Sequence, residues 1–446
     1  MALPPCSPGQ GAGTGAAVFS VLRIRDYRLV ATGQLLSSLG DWLMLVAAPY
    51  FVLRLTGSTL ATGLSMGAET VPALLLGPAA GVFADRWDRR RTMLAADLLR
   101  AASVALMLLV HHPGQVWLIY LALLAEAGFG QFFNPAQRAL IPALVGRGPR
   151  LGAANSLAAL IGGTVRLVGG PLGGALYALI GFAPVVALDV GSYLASAVLI
   201  LAISHRREPA ESASAAVPMS ALADGTPWRR FVSQARDGVT HIRATPGLPG
   251  LFTAAGVFLL GNAALTALLV PYTGTVLHAA AGTLGLLFGA LGVGYLAGAP
   301  LSRVVAAHFN EPTVMTASLA VLGVVFAAAF NVHDTTWALV LFTLIGPPGV
   351  CFLATASTYL ARHTPDRLLG RASAAYGMLQ AGSTLTGMVA GAVLGQQLGI
   401  GVTANLAALT VAASAIAALR VPAAAIQPDA AVLPADPDDL IDVVNP

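Results

Sequence analysis

Five ionisable side chains lie deep inside long apolar stretches of this sequence: Asp41, Glu69, Glu126, Arg166 and Asp189. A charge in apolar surroundings is costly unless it faces a water-filled cavity or pairs with an opposite charge. Desolvation makes a buried carboxyl group hold a proton more tightly, and a nearby arginine makes it release the proton more readily. Carboxyl groups in such places can therefore bind and release protons.

The composition places these residues on membrane-spanning helices. Of 446 residues, 56% are hydrophobic and 10% are charged, and the mean hydropathy is +0.76. Soluble domains carry about a quarter charged residues, so an ordinary soluble enzyme is excluded. An apolar helix of about 20 residues crosses a bilayer. Twelve segments have this character, at approximately 29–53, 59–84, 92–110, 117–137, 153–178, 183–203, 250–272, 282–306, 312–330, 336–361, 371–396 and 399–420.

A polar stretch divides these segments into two groups of six. We predict an N-terminal cytoplasmic tail at 1–28, an N-terminal six-helix bundle at 29–203, a cytoplasmic linker at 204–249, a C-terminal six-helix bundle at 250–420 and a disordered cytoplasmic tail at 421–446. The predicted fold class is therefore an all-α membrane protein with twelve transmembrane helices.

The placement of arginine predicts the orientation in the membrane. All 24 basic residues are arginine. With both termini in the cytoplasm, Arg54 falls outside, Arg100 and Arg166 fall within segments, and the rest lie on the cytoplasmic side. Cytoplasmic loops carry such an excess of positive charge. We expect a multi-pass protein of the cell membrane with both termini in the cytoplasm.

The two groups of six are related in sequence. Gly170 and Gly174 in the fifth segment match Gly387 and Gly391 in the eleventh at a constant offset. The same offset relates two further sets in the second and eighth segments, which are Gly77, Gly81, Asp85 and Arg86, and Gly294, Gly298, Ser302 and Arg303. Two repeats of the same orientation place a substrate site near mid-membrane at their interface, where rocking alternates the access.

The turn after the second segment is a candidate gate, with the residues Gly77, Gly81, Asp85, Arg86, Asp88, Arg89 and Arg90. Its glycines allow close helix contact. An aspartate at a helix end can accept hydrogen bonds from a facing helix N-terminus, and arginines can pair with carboxylates or lipid phosphates. The alternative, anchoring on the cytoplasmic side alone, explains the arginines but leaves the spacing of glycine and aspartate unexplained.

This turn resembles the loop signature of the major facilitator superfamily, with Asp88 at the second glycine position of the pattern. The stretch 56–58, the aspartate of the first segment and the stretch 369–371 resemble the enterobactin-exporter and macrolide-efflux branch. The resemblance covers about residues 20–420. It implies a secondary transporter built as two parallel six-helix repeats.

The fifth segment adds a second motif, formed by Gly170, Pro171, Gly173 and Gly174. It is similar to the antiporter signature of the superfamily, and the resemblance therefore implies export. Proline removes a backbone donor and glycine admits a neighbouring helix, so a bend is expected here. The sequence departs from the signature at Arg166, which occupies the first glycine position. The alternative is a glycine-rich packing face without a role in direction.

Asp41, Glu126 and Arg166 are predicted to lie at similar depth. In the superfamily fold, helices 1 and 4 line the cavity and helix 5 flanks it, so the resemblance implies one polar cluster. Our hypothesis is that Asp41 or Glu126 exchanges the proton and that Arg166 tunes it. The alternative is a permanent Glu126–Arg166 ion pair that only holds helices together. Asp97 and Arg100, three residues apart, are expected to form a local pair.

The second half offers polar but mostly uncharged side chains. We expect Asn262, Tyr272 and Gln380 to line the substrate cavity together with Glu69 of the first half. The asymmetry favours proton chemistry in the N-terminal half and an apolar substrate surface opposite. No spacing typical of a metal site or a nucleotide-binding loop is present in the sequence.

The predicted function is export of an amphipathic or hydrophobic small molecule, such as a drug or a siderophore-like metabolite, by proton antiport with alternating access. The alternative within transport is a metabolite importer or facilitator of the same fold. A non-transporting receptor or a membrane-embedded enzyme is a distant alternative. We expect no catalytic activity, no cofactor besides the proton gradient, no nucleic-acid partner, contact with membrane lipid and a monomer.

Overall fold

The computed structural model describes residues 19–76, 87–146, 148–204, 240 and 242–422. Within these ranges it contains twelve helices long and apolar enough to cross a membrane. They are α1 Arg25–Thr56, α2 Thr59–Leu76, α3 Arg89–Leu109, α4 Val116–Val145, α5 Pro149–Ile180, α6 Phe182–Leu201, α7 Leu248–Pro271, α8 Ala281–His308, α9 Glu311–Asn331, α10 Thr335–Arg362, α11 Asp366–Leu398 and α12 Ile400–Ala418. The all-α membrane fold predicted from the sequence is confirmed. Most of the predicted linker and most of both tails lie outside the described residues.

Local sequence determines where several helices begin. The side chains of Ser58, Asp88 and Asn310 each accept a hydrogen bond from a backbone N–H three residues later, at 3.2, 2.9 and 3.0 Å. Such caps satisfy backbone donors that have no partner within the helix. Gly57 ends α1 in the left-handed region, with φ of 63°. This glycine turns the chain directly into α2.

The two six-helix halves meet along two helix pairs, α5 with α8 and α2 with α11. In the first pair, a Cβ at Gly170 would lie 2.7 Å from Cβ of Phe288, which shows how closely the helices approach. In the second pair, the Ser58 hydroxyl donates to the Gln396 side chain at 3.2 Å. Both contacts lie toward the end of the molecule opposite the start of α1 and the end of α12.

At the other end the halves are apart within the described ranges. No described atom of another helix lies within 4 Å of a Cβ built at Gly162 or Gly163 of α5, or at Gly377 or Gly382 of α11. The space between the halves is therefore open at the end where α1 begins and closed at the opposite end. With the orientation predicted from the arginines, this is an inward-open arrangement.

In the fifth and eleventh helices, the glycines that occupy equivalent places differ by one residue from the pairs predicted from the sequence. Gly173 packs against Leu43 of α1, with a built Cβ 2.9 Å from Cα of Leu43. Gly391 packs equivalently against Ala264 of α7, at 2.7 Å from its Cα. Gly174 faces the other half instead. Glycines are so frequent in α5 that the sequence alone did not show which of them face α1 and which face the second half.

The buried apolar core differs between the halves. In the second half one continuous cluster includes residues from Leu248 to Val421, and it extends to Val46, Tyr50 and Met66 of the first half. In the first half the described core is split into separate clusters, one around Ala47 and Ile119, one around Met93 and Phe133, and one around Tyr27. A layer of polar side chains at mid-depth separates the first of these from the other two. That layer is the candidate site.

Candidate functional site

Four helices contribute one side chain each to the centre of the polar layer: Asp41 from α1, Arg100 from α3, Glu126 from α4 and Tyr193 from α6. Arg100 donates from Nε to Glu126 Oε1 at 2.9 Å and from Nη2 to both oxygens of Asp41 at 3.2 Å. A second contact joins Arg100 Nη2 to Glu126. One guanidinium group therefore bridges two carboxylates on different helices.

Tyr193 completes this cluster and is fully buried. Its hydroxyl lies 2.5 Å from Asp41 Oδ1 and 2.8 Å from Glu126 Oε1, and the Arg100 guanidinium lies 4.3 Å from the centre of its ring. The hydroxyl and the guanidinium are thus both directed at the same two carboxyl groups. Charge-assisted hydrogen bonds of this kind are about twice as strong as those between neutral groups.

The cluster faces a cavity of about 240 Å³, whose lining also includes Glu69 and Asp189. Asp41 is the more accessible of the two bridged carboxyl groups, because its side chain is 38% exposed and that of Glu126 is 15% exposed. Asp189 is buried against α1, where a Cβ at Gly40 would overlap its carboxylate. Four carboxyl groups and one guanidinium group thus share one small cavity.

The structure does not bring Arg166 to this cluster. Its guanidinium lies 5.9 Å from the ring centre of Trp42 and 6.0 Å from that of Tyr295. The alternative pairing, Glu126 with Arg166, is therefore wrong for this structure, because Glu126 binds Arg100. Equal depth did not imply contact, since α5 presents Arg166 toward α8.

The expected local pair of Asp97 and Arg100 is also wrong. Asp97 is fully buried, and neither of its carboxyl oxygens has a hydrogen-bond partner in the described structure. The long side chain of Arg100 extends instead to two carboxylates on neighbouring helices. Sequence reasoning thus missed Arg100 and Tyr193 as members of the site. A usable signal existed, because Arg100 lies about midway along its own apolar segment.

Part of the candidate gate lies outside the described residues, namely Gly77, Gly81, Asp85 and Arg86. The rest joins α3 to its neighbours. Asp88 caps α3, Arg89 donates to the backbone oxygen of Ala139 at 3.0 Å, and Arg90 donates to that of Ile200 at 3.0 Å. These arginines therefore hold the start of α3 against the ends of α4 and α6.

The antiporter-type residues lie at the closed contact between the halves. A Cβ at Gly289 of α8 would lie 2.6 Å from Cγ of Pro171, and one at Gly174 would lie 3.0 Å from Cα of Gly285. Gly170 is part of the same contact and Gly173 faces α1. The helix is continuous through Pro171. The motif therefore permits near-backbone contact between the two halves.

Among the residues expected to line the substrate cavity, Tyr272 is placed elsewhere. It is fully buried, and its hydroxyl donates to the backbone oxygens of Ala329 at 2.8 Å and Val332 at 2.7 Å. This prediction is wrong, because Tyr272 fastens the end of α7 to α9. Asn262 is half-buried on α7 and Gln380 is exposed on α11, while Glu69 lines the acidic cavity.

Comparison with known proteins agrees with this architecture. The model of the transmembrane secretion effector family, a branch of the major facilitator superfamily, matches residues 16–443. The chain belongs to that family. This transporter is 27% identical over 379 residues to the multidrug efflux pump Tap of Mycolicibacterium fortuitum, covering 82% of this chain and 89% of that one. It is 29% identical over 125 residues to macrolide efflux protein A of Streptococcus pyogenes, covering 28% of this chain and 31% of that one.

Solved structures of similar fold are also transporters. A bacterial homologue of the iron transporter ferroportin in an inward-facing state matches this major facilitator transporter with a TM-score of 0.67 and 17% identity, covering 90% of this chain and 98% of that one. The peptide transporter POT matches with a TM-score of 0.68 and 12% identity, covering 88% and 93%. At such identities the likeness shows the fold alone. Family and helices together make this chain a multi-pass membrane transporter.

Proposed function

We propose that this transporter exports amphipathic small molecules in exchange for protons, with Asp41 as the site where the proton is exchanged. The observation that carries the proposal is the bridge that Arg100 makes between Asp41 and Glu126. It joins three helices of one half at mid-membrane. A proton on either carboxyl group weakens this bridge, and the packing of those helices then depends on the proton.

The balance of charge in the cavity supports proton binding. Asp41, Glu69, Glu126 and Asp189 line it, against the single guanidinium of Arg100. Several like charges in one poorly solvated space repel one another, and a proton bound to one of the groups relieves this repulsion. Asp41 is the best placed to exchange one, because it is the more exposed of the two carboxyl groups that bind Arg100.

The packing between the halves supports alternating access. The contacts α5–α8 and α2–α11 lie at one end of the molecule, and the space between the halves is open at the other. Two rigid repeats that rock about a mid-membrane site alternate between such arrangements. A proton that loosens the Arg100 bridge biases this equilibrium.

The direction of transport and the kind of cargo are inferred from relatives. The family description speaks of secretion, and two relatives are named as multidrug and macrolide efflux proteins. The distribution of arginine supports a location in the cell membrane with both termini in the cytoplasm. We propose a monomer surrounded by lipid, with the proton gradient as its energy source and no cofactor.

The test uses purified protein in proteoliposomes with a pH-sensitive dye inside. Ethidium, erythromycin and dansylglycine are added in turn, and proton movement and uphill substrate movement are recorded. We expect proton flux that at least one compound evokes, and we expect Asp41→Asn to lower that flux by roughly tenfold or more, since an amide cannot carry the proton.

Glu311→Gln is the matched control, because Glu311 pairs with Arg362 at 2.8 Å near the surface of the second half. This variant should keep the wild-type flux. Downhill transport without proton movement would instead identify a facilitator. Loss of flux in Glu126→Gln but not in Asp41→Asn would move the exchange site to Glu126.

A further inference from the structure

A second cavity lies between the two halves, on another face of α1 from the acidic cavity. Its volume is about 410 Å³, and α1, α5 and α8 line it. Ser38 and Trp42, four residues apart on one face of α1, point into it, whereas Asp41 and Met44 line the acidic cavity. Residues four apart on a helix share a face. Helix α1 thus separates two cavities of different chemistry.

Arg166 projects into this second cavity without a carboxylate partner. The side chain is exposed, and no acidic residue is among those that line the cavity. None of the ion pairs found in the described part of the chain involves Arg166. An ionisable residue at mid-membrane depth marks a binding site or a transport pathway. Here the missing counter-charge indicates what the cavity binds.

We propose that this cavity binds the transported molecule and that the molecule is an amphipathic organic anion. Its carboxylate or sulfonate group pairs with the Arg166 guanidinium, and its apolar body lies between the rings of Trp42 and Tyr295. Arg166 supplies two parallel N–H donors for such an anion. The proposal rests on the transport function argued above and adds the chemical class of the cargo.

The sizes of the two cavities support this assignment. Sites for small organic molecules measure about 300–1,000 Å³. The Arg166 cavity, at about 410 Å³, lies in that range, whereas the acidic cavity, at about 240 Å³, is smaller. The Arg166 cavity is therefore large enough for a small organic molecule.

The walls of the cavity come from both halves. Trp42 is seated against Gly169 of α5, where a built Cβ would lie 2.5 Å from Cβ of Trp42. Gly292 of α8 packs against Leu167, with a built Cβ 3.2 Å from the Leu167 side chain. Tyr295 and Leu296 of α8 complete the lining. A molecule bound here touches both halves, so its binding energy differs between the two arrangements of the halves.

The experiment measures equilibrium binding of three dansyl compounds that differ in charge: dansylglycine, dansylamide and dansylcadaverine. Purified full-length protein is placed in phosphatidylcholine nanodiscs without any gradient, and dansyl fluorescence excited through tryptophan is recorded. We expect the anion, dansylglycine, to bind at least about tenfold more tightly than the neutral or cationic compound, as a charge-assisted pair predicts.

Arg166→Gln should remove this preference by weakening dansylglycine binding about tenfold, with little change for dansylamide. Arg166→Lys should retain part of it. Arg150→Gln is the matched control, because Arg150 is an exposed arginine at the start of the same helix. This control loses the same charge and should bind dansylglycine as the wild type does.

Equal affinity for the three compounds, or a preference unchanged in Arg166→Gln, overturns the proposal. Nanodiscs that contain phosphatidylglycerol separate two sources of the anion. If this lipid competes with dansylglycine in the wild type and not in Arg166→Gln, the cavity binds an anionic lipid headgroup, and the proposal of a transported soluble anion is overturned. Since binding needs no gradient, its failure is distinct from a failure of proton antiport.

Discussion

The two halves of this transporter share a helix arrangement but differ in what fills their centres. The second half has one continuous apolar core from α7 to α12. In the first half a polar layer interrupts the core between Leu43 and Val30 on α1, and between Ala101 and Ala96 on α3. Burying polar groups in place of apolar ones lowers stability unless each group is paired. The central carboxyl groups of this layer are paired with Arg100 and Tyr193, and the proton exchange proposed above gives the layer a function.

Two buried tyrosines show the same contrast. Tyr193 of the first half directs its hydroxyl at the carboxyl groups of Asp41 and Glu126. Tyr272 of the second half directs its hydroxyl at two backbone oxygens of α9 and its end. A group bonded to backbone oxygens fixes a helix end and is insensitive to pH. A hydroxyl bonded to carboxyl groups changes its hydrogen bonds when those groups bind or release a proton.

The largest effect is expected from Arg100→Gln, compared with Arg362→Gln. Arg100 is nearly buried between two carboxylates, whereas the Arg362 side chain is 69% exposed in its pair with Glu311. Removing one partner of a buried ion pair costs about 3–5 kcal/mol, and an exposed pair contributes about 0–1 kcal/mol. Thermal unfolding in detergent should show a large loss of stability for the first variant only.

The double variant Arg100→Gln with Asp41→Asn sharpens this comparison. It removes one of the carboxylates left without a counter-charge, so part of the lost stability should return, although proton flux should not. Equal losses of stability in Arg100→Gln and Arg362→Gln would contradict the view that the charged groups of the first half are buried in a poorly solvated layer.

The contrast between the halves explains what the sequence could predict. Apolar length predicted the twelve helices, because it depends only on position along the chain. The depths of Asp41 and Glu126 were predicted on the same basis. The rotation of each helix about its own axis was not predicted. This rotation determines that Arg100 faces the carboxylates while Arg166 faces α8. For the same reason Tyr272 was placed in the cavity although it binds α9.

An intermediate effect is expected from Tyr193→Phe, with Tyr272→Phe as its counterpart. Each change removes one hydroxyl and leaves the ring, so each should lower stability by about 1–2 kcal/mol. Only Tyr193→Phe should alter the pH dependence of transport. It removes a hydrogen-bond donor to two carboxyl groups, whereas Tyr272→Phe removes a donor to backbone oxygens that do not titrate. An unchanged pH profile of transport in Tyr193→Phe, or a shifted profile in Tyr272→Phe, would contradict the different roles assigned to the two tyrosine hydroxyls.

The smallest effect is expected from Asp97→Asn. Asp97 belongs to the first half and is as buried as Tyr193, yet neither of its carboxyl oxygens is hydrogen-bonded in the described structure. The amide has nearly the same shape and no charge to desolvate, so the unfolding temperature should stay level or rise. Proton flux in proteoliposomes should fall far less than in Asp41→Asn, because Asp97 makes none of the ion pairs of the Arg100 cluster in the described structure.

This variant separates two explanations of the polar layer. If membership of the Arg100 cluster is what matters, Asp97→Asn transports normally while Asp41→Asn does not. If every buried carboxyl group of the first half serves as a step for protons, both variants lose flux. In that case Asp97, roughly one helical turn from Arg100 on α3, would extend the proton path toward the open end of the molecule.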